Sequence, residues 1–349
     1  MATANRLHWI DTTKAVCIIC VYFAHCAAFT TGNINLIKAV SPFYVNAFFF
    51  ISGYLLCKKY LQENTISNFA SQAYLSGVKT CIFKIVIPTI IFSSMICIPK
   101  ALLHNYTIDY KILIIDIWGG SSFWFTSALA VAQLVILTLF LTKNRNIFFY
   151  LVITALIFLA TQYLCDFTPH PARFYFPWYW RTGLIYTFIL ILGGVYYTFE
   201  KEINLFLHKG GVIAIATISI YTYFYLYRND NIFFLGLSGR CTTLGFIGAI
   251  STTLLLIFIL RRCSSCTITD FIGKNSIVFY FFSGAVPNTI AALMNRLLNG
   301  NELFIATFTL SIIISYIITL VICNYFPFLT DIRKVNMKAY ANFYSSNNR

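Results

Sequence analysis

One histidine of this sequence lies in a segment where an ionisable residue is costly. His25 follows the mostly apolar run Ala15 to Ala24, and the nearest cation before it is Lys14. An ionisable side chain inside a span usually faces a polar cavity or a partner. With an ordinary pKa of about 6.5, a histidine can take a proton from a hydroxyl and return it near neutral pH. The residue type therefore indicates acid–base chemistry, although a neutral His25 that only hydrogen-bonds to another helix fits the pattern too.

The spacing between Lys14 and His25 is the second chemical signal. On a helix, eleven residues advance about 1,100° and about 16 Å along the axis, so the two side chains share a face but cannot touch. Acyl transfer from a coenzyme A thioester needs both a base and a cation for the donor's phosphates. The gap resembles the reach of a pantetheine arm. Asp11, three residues before Lys14, can pair with it at the membrane edge, and that pairing alone explains both residues.

The elements that must position these residues are membrane helices. Of 349 residues, 59% are hydrophobic and 10% charged, and the mean hydropathy is +0.75, whereas a soluble domain has about 25% charged residues. Because about 20 apolar residues cross a bilayer, the chain is predicted to be an all-α polytopic protein, one membrane domain over 1–349. The ten predicted spans are 13–31, 41–57, 81–99, 123–142, 147–164, 181–199, 210–227, 241–260, 272–294 and 303–326.

Charge and cysteine usage narrow the classes further. The formal net charge is +14, but the Lys and Arg residues lie in short loops between apolar runs, so no nucleic-acid partner is expected. Most of them fall on the side of the termini, which predicts cytoplasmic termini and short cytoplasmic tails. The expected location is a plasma membrane, such as the bacterial inner membrane. The 11 cysteines are scattered, and the pair Cys263 and Cys266 has no second pair nearby, so neither a disulfide framework nor a metal is expected.

Several short motifs, in order, resemble the acyltransferase-3 family of integral membrane acyltransferases, closest to its fucose 4-O-acetylase-like branch. The first is the basic residue, ten residues and histidine of Lys14 to His25. The others are Trp9-Ile10-Asp11-Thr12-Thr13-Lys14, Phe48-Phe49-Phe50-Ile51-Ser52-Gly53-Tyr54-Leu55, Lys79 to Lys84 ahead of Pro88, Phe123-Trp124-Phe125 with Ala128 and Leu129, and Ile272-Gly273-Lys274-Asn275-Ser276 with Tyr280.

The resemblance implies a ten-helix domain, an acyl-CoA donor reached from the cytoplasm, and an acceptor that is often a sugar of a surface polysaccharide or of its lipid-linked precursor. It implies His25 as the catalytic residue and Lys14 as the family's basic residue. The chain departs from the branch at Tyr44-Val45-Asn46, where relatives carry His-Met-Pro, at Cys81, where an Arg is usual, and at Ser283, where relatives often have His. These departures bear on the identity of the acceptor more than on the type of reaction.

The candidate site set follows from these motifs, and each member also has a structural interpretation. Lys84 is a topology anchor or a phosphate ligand, Trp124 a membrane-interface or substrate residue, and Ser52 a packing or substrate residue. Asn275 and Ser276 fit helix capping as well as substrate binding. The aromatic loop Arg173 to Arg181 fits membrane anchoring as well as sugar stacking. The expected set is catalytic His25; donor-binding Lys14, Asp11 and Lys84; and substrate-binding Trp124, Ser52, Asn275, Ser276, Tyr280 and Arg181.

The predicted function is transfer of an acetyl or similar small acyl group from acyl-CoA to a carbohydrate hydroxyl. Acetyl-CoA is then a donor substrate, no permanently bound cofactor is expected, and the partners are the glycan acceptor and membrane lipid. Two other classes stay open: a transporter or flippase of a lipid-linked glycan with a proton-coupling histidine, and a non-catalytic subunit of a polysaccharide assembly complex. Direct transfer and a covalent acyl-histidine also stay open, as do the acyl group, the acceptor and the oligomeric state.

Overall fold

The structure is a computed structural model, and residues 7–61, 71–103, 111–144, 146–167, 177–228, 243–264 and 266–333 are described. Within these ranges the regular structure is entirely helical. The helices are α1 His8–Thr30, α2 Ile34–Val40, α3 Tyr44–Tyr60, α4 Ser71–Cys81, α5 Ile87–Leu103, α6 Trp124–Phe140, α7 Ile147–Phe167, α8 Trp180–Thr198, α9 Glu200–Phe206, α10 Val212–Arg228, α11 Thr243–Leu260, α12 Thr267–Lys274, α13 Ser276–Phe282, α14 Ala285–Met294 and α15 Gly300–Tyr325.

The all-α polytopic fold predicted from composition is confirmed. Seven helices of the described part are long and apolar enough to cross a bilayer, and the pair α13–α14, bent by 43°, raises the number to eight. The predicted spans at 147–164 and 181–199 coincide with helices α7 and α8, which do not meet the same requirement of length and hydropathy. The count of ten therefore stays a prediction.

Helices α3 and α8 pack with their backbones in contact. A Cβ atom at Gly53 would overlap the carbonyl group of Leu190, so no larger residue fits at this point of α3. The ring of Phe49 stacks on Tyr186 with centroids 3.8 Å apart. Gly53 and Phe49 thus lie on the face of α3 that packs against α8, whereas Ser52 lines a cavity described with the site.

A second close approach joins α1 to α12. A Cβ atom at Gly273 would overlap the backbone of Asp11. The glycine therefore lets the end of α12 lie directly against the first turns of α1, and the chain that follows it, Lys274 to Ser276, reaches the same cavity as Lys14.

Two prolines shape the segments that carry polar groups into the bundle. Lys84 lies in a π-helical turn, Ile82–Val86, directly ahead of Pro88, whose missing N–H cannot bond to the Lys84 carbonyl. Turns of this kind are frequent at functional sites. Pro287 lies in the first turn of α14, just after the bend between α13 and α14. Because it has no N–H, the carbonyl group of Ser283 lacks its usual helical donor.

Candidate active site

His25 is held by a backbone carbonyl group. Its Nδ1 atom lies 2.6 Å from the carbonyl oxygen of Ser283, at the bend between α13 and α14. Because a carbonyl oxygen only accepts, this hydrogen bond assigns the proton to Nδ1 and leaves Nε2 with a lone pair. A neutral histidine in this tautomer has a base ready at Nε2.

The Ser283 carbonyl accepts from His25 because its normal helical donor does not exist. In a continuous α-helix it would accept from the N–H four residues later, but that residue is Pro287, which has no N–H. The Ser283 hydroxyl, by contrast, donates to the Tyr280 carbonyl at 2.7 Å. The position where relatives often have His thus contacts His25 through its backbone.

A small cavity of about 40 Å³ surrounds the His25 ring. Two residues of the predicted site, Trp124 and Tyr280, line it together with Phe48 and Phe125. The Tyr280 hydroxyl accepts a hydrogen bond from the Phe125 N–H at 3.2 Å. That N–H lies in the first turn of α6, where backbone donors lack a helical partner. Tyr280 therefore connects α13 to the start of α6 beside His25.

A larger cavity of about 220 Å³ lies along the same face of α1. Three lysines line it, Lys14 from α1, Lys84 from the π-helical turn and Lys274 from the end of α12. Ser52, Asn275 and Ser276 line it as well. Three cations around one cavity make a site for an anion such as a phosphate group.

The two cavities share the side chains of Phe48 and Phe125, whose ring centroids lie 5.3 Å apart. One aromatic pair thus separates the cation-lined cavity from the histidine cavity. Since α1 runs unbroken from His8 to Thr30, Lys14 and His25 are on one continuous helix, with the axial separation of about 16 Å that the sequence predicted. A ligand anchored at the lysines would have to pass this pair to reach His25.

Two of the predicted site residues line neither of these cavities. Asp11 is buried at the start of α1 against Gly273, so it supports the position of α12. Arg181 lies in the first turn of α8, with its guanidinium 5.2 Å from the centroid of the Trp180 ring. Residues 173–176 of the aromatic loop lie outside the described part of the chain.

The interpretation of Asn275 as a cap at the start of α13 is wrong. Its Nδ2 atom donates to the carbonyl oxygen of Phe271 at 3.0 Å, and its Oδ1 atom accepts from the Cys323 thiol at 3.3 Å. The side chain makes no capping bond to α13. It instead closes the end of α12 and ties it to α15.

Two charged side chains that line the larger cavity were not expected to do so. Lys274 belongs to the motif Ile272 to Ser276, but it was not predicted to bind a ligand. Its position in that motif, next to Asn275 and Ser276, was the sequence signal that could have indicated this role. Asp331 lines the cavity from a segment after α15, and no local pattern in the sequence indicates it.

A known protein family covers most of this chain. The chain matches the acyltransferase-3 family, described as an acyltransferase domain, over residues 7–323. It therefore belongs to that family and is a membrane acyltransferase. A search of curated proteins and a search of solved structures each found no match. The fucose 4-O-acetylase-like branch stays a prediction.

Proposed function

We propose that this protein transfers an acetyl or similarly small acyl group from acyl-CoA to a hydroxyl of a surface polysaccharide or of its lipid-linked sugar precursor. One observation carries the proposal: a cavity lined by Lys14, Lys84 and Lys274 and a cavity around His25 share the walls Phe48 and Phe125. A ligand with phosphates at one end and a thioester at the other fits that pair of cavities.

The donor end of the proposal rests on charge. Coenzyme A carries a diphosphate and a ribose phosphate, and lysines bind such groups as point charges. The three cavity lysines hold the nucleotide end on the predicted cytoplasmic side. The pantetheine arm then runs along α1 toward His25 and places the thioester carbonyl beyond Phe48 and Phe125.

The size of the histidine cavity supports a short acyl group. Its volume of about 40 Å³ accommodates roughly three water-sized groups, and an acetyl group has three non-hydrogen atoms. The aromatic walls leave little room for a longer chain. This is the physical reason for proposing acetyl.

His25 acts as the general base in this proposal. Nε2 takes the proton of the acceptor hydroxyl while its oxygen attacks the thioester carbonyl; when the C–S bond breaks, Nε2–H returns the proton to the leaving thiolate. The Nδ1–H bond to the Ser283 carbonyl keeps the ring oriented throughout and stabilises the positive charge that it transiently carries. Ping-pong kinetics would indicate that the acyl group is first bound to Nε2, and ternary-complex kinetics would indicate direct transfer.

Tyr280 is proposed to stabilise the tetrahedral intermediate. Its oxygen accepts from the Phe125 N–H, so its own O–H is available as a donor, and the ring lines the His25 cavity. A donor directed at the developing oxyanion is a large contribution in acyl transfer. Trp124 lines the same cavity, and its ring is proposed to stack against the acceptor sugar outside the space that the acetyl group fills.

The proposal is tested by purified protein in lipid nanodiscs, supplied with radiolabelled acetyl-CoA and candidate glycans. The expected result is label in an ester that mild alkali removes, and no label with His25→Ala. Mass spectrometry of surface glycans with and without the gene then identifies the acceptor. Translocation of a lipid-linked glycan without ester formation would instead support the flippase alternative.

A further inference from the structure

The segment after α15 contributes to the wall of the larger cavity, called here the lysine cavity because Lys14, Lys84 and Lys274 line it. It forms a 3-10 turn, Pro327–Leu329, and Leu329 packs against the hydrophobic cluster that contains Phe92 and Phe281. The Thr330 hydroxyl donates to the Pro327 carbonyl at 2.8 Å. This anchoring places Thr330 and Asp331 on the cavity wall.

Asp331 is buried and its carboxylate is held on both oxygens. The Arg333 Nε atom donates to Oδ1 at 2.8 Å, and one terminal guanidinium nitrogen donates to Oδ2 at 2.7 Å. The Arg333 guanidinium lies 5.8 Å from the centroid of the Phe83 ring, next to Lys84 in the chain. The hydrogen bonds from Arg333, and secondarily the charge of Lys84, lower the pKa of Asp331, so the group is a carboxylate at neutral pH.

A carboxylate in this wall opposes the binding of phosphate. Acyl-CoA and the CoA product carry the same phosphates, so lysines that grip the donor grip the product equally and slow its release. Binding both equally well does not raise the turnover rate. One negative charge among three lysines lowers the affinity for acyl-CoA and for CoA alike, because it repels the phosphates that the lysines attract.

We propose that Asp331 sets the affinity of the lysine cavity for coenzyme A, and that Arg333 moderates this effect by partly neutralising the carboxylate. The inference rests on the proposed function. It concerns residues of the C-terminal segment, beyond the matched range 7–323.

The proposal makes predictions of opposite sign for two partners of one ion pair. Asp331→Asn is expected to lower the Kd for CoA about threefold to tenfold, and to strengthen product inhibition by CoA equally. Arg333→Gln leaves the carboxylate less neutralised and is expected to raise the Kd about threefold. The double variant should lie near wild type, and all differences should shrink at high salt.

The experiment measures binding of radiolabelled CoA to the purified full chain in detergent by equilibrium dialysis, after thermal melts have shown that each variant is folded. Asp331→Glu keeps the charge and should match wild type. Glu302→Gln is the matched control, since it removes one exposed carboxylate at the start of α15. If Asp331→Asn does not fold, Arg333→Gln and its salt dependence carry the test.

The outcomes separate this inference from the proposed function. Weaker CoA binding in both Asp331→Asn and Arg333→Gln would show a purely structural ion pair and overturn the inference, as would unchanged binding in both. Acetyl transfer by the wild type with either of these results would leave the proposed function intact. Wild-type protein that binds no CoA would overturn both.

Discussion

The imidazole Nδ1 atom of His25 and the carbonyl oxygen of Ser283 are 2.6 Å apart, although the two residues are 258 positions apart in the chain. The contact joins α1 to the bend after α13. It fixes the tautomer of His25, which among the described residues lining the small cavity is the side chain suited to act as a base near neutral pH. The proposed role of His25 as a general base depends on this contact.

Pro287→Ala should impair transfer although it removes a helix-breaking residue. The new N–H can donate to the Ser283 carbonyl and compete with His25 for that acceptor. We expect kcat to fall about tenfold, in the range of orienting contacts in other sites, with the Kd for CoA unchanged. Ser283→Ala is the control, since it keeps the carbonyl and should transfer at nearly the wild-type rate. Equal losses in both variants would contradict the backbone contact.

Replacing each cavity lysine by alanine should weaken donor binding. Lys14→Ala, Lys84→Ala and Lys274→Ala are each expected to raise the KM for acetyl-CoA about fivefold to thirtyfold, the effect of losing one charge-assisted contact. Each should also flatten the salt dependence of binding. Lys201→Ala, an exposed lysine of α9, should leave the KM unchanged. An unaltered KM for Lys14→Ala would remove the donor site from the cavity.

Phe48→Leu should widen the choice of acyl chain. The smaller side chain enlarges the space beside His25 that it lines, so the ratio of kcat/KM for butyryl-CoA to that for acetyl-CoA should rise about tenfold. Phe50→Leu is the matched control: it lies in the same run but packs toward Tyr196, with ring centroids 5.6 Å apart. If both variants show the same ratio as wild type, the aromatic pair does not select the acyl group.

Tyr280→Phe should lower kcat more than it lowers stability. The substitution removes the proposed oxyanion donor and also leaves the Phe125 N–H without its acceptor. We expect a loss of kcat of about a hundredfold and a small decrease in melting temperature, with the KM for acetyl-CoA nearly constant. A full loss of stability with normal kcat in the folded fraction would show that the hydroxyl only connects the helices.

The sequence predicts those parts of the site that depend on helical period. Lys14 and His25 lie on one helix, so their alignment followed from 3.6 residues per turn. The apolar runs predicted the all-α membrane fold through their length, because about 20 apolar residues cross a bilayer as a helix. Ser52 and Trp124 were found through short motifs, and the structure places both on cavity walls.

The contacts that the sequence does not predict join distant segments. The Ser283 carbonyl depends on a missing donor at Pro287, and its partner is 258 residues away. Asp331 reaches the lysine cavity because Leu329 anchors its segment on a hydrophobic cluster. The backbone of Asp11 lies in the α1–α12 contact at Gly273, and donor binding by Asp11 stays a prediction. Such pairings are set by packing, which local periodicity does not encode.

The most direct measurement compares His25→Ala with wild type in two assays on the same preparation, acetyl transfer to the glycan and equilibrium binding of CoA. We predict that transfer falls by about a hundredfold to ten-thousandfold, the usual contribution of a general base, while the Kd for CoA stays within about twofold. His25→Ala protein that binds CoA and still acetylates the glycan at the wild-type rate would contradict the account.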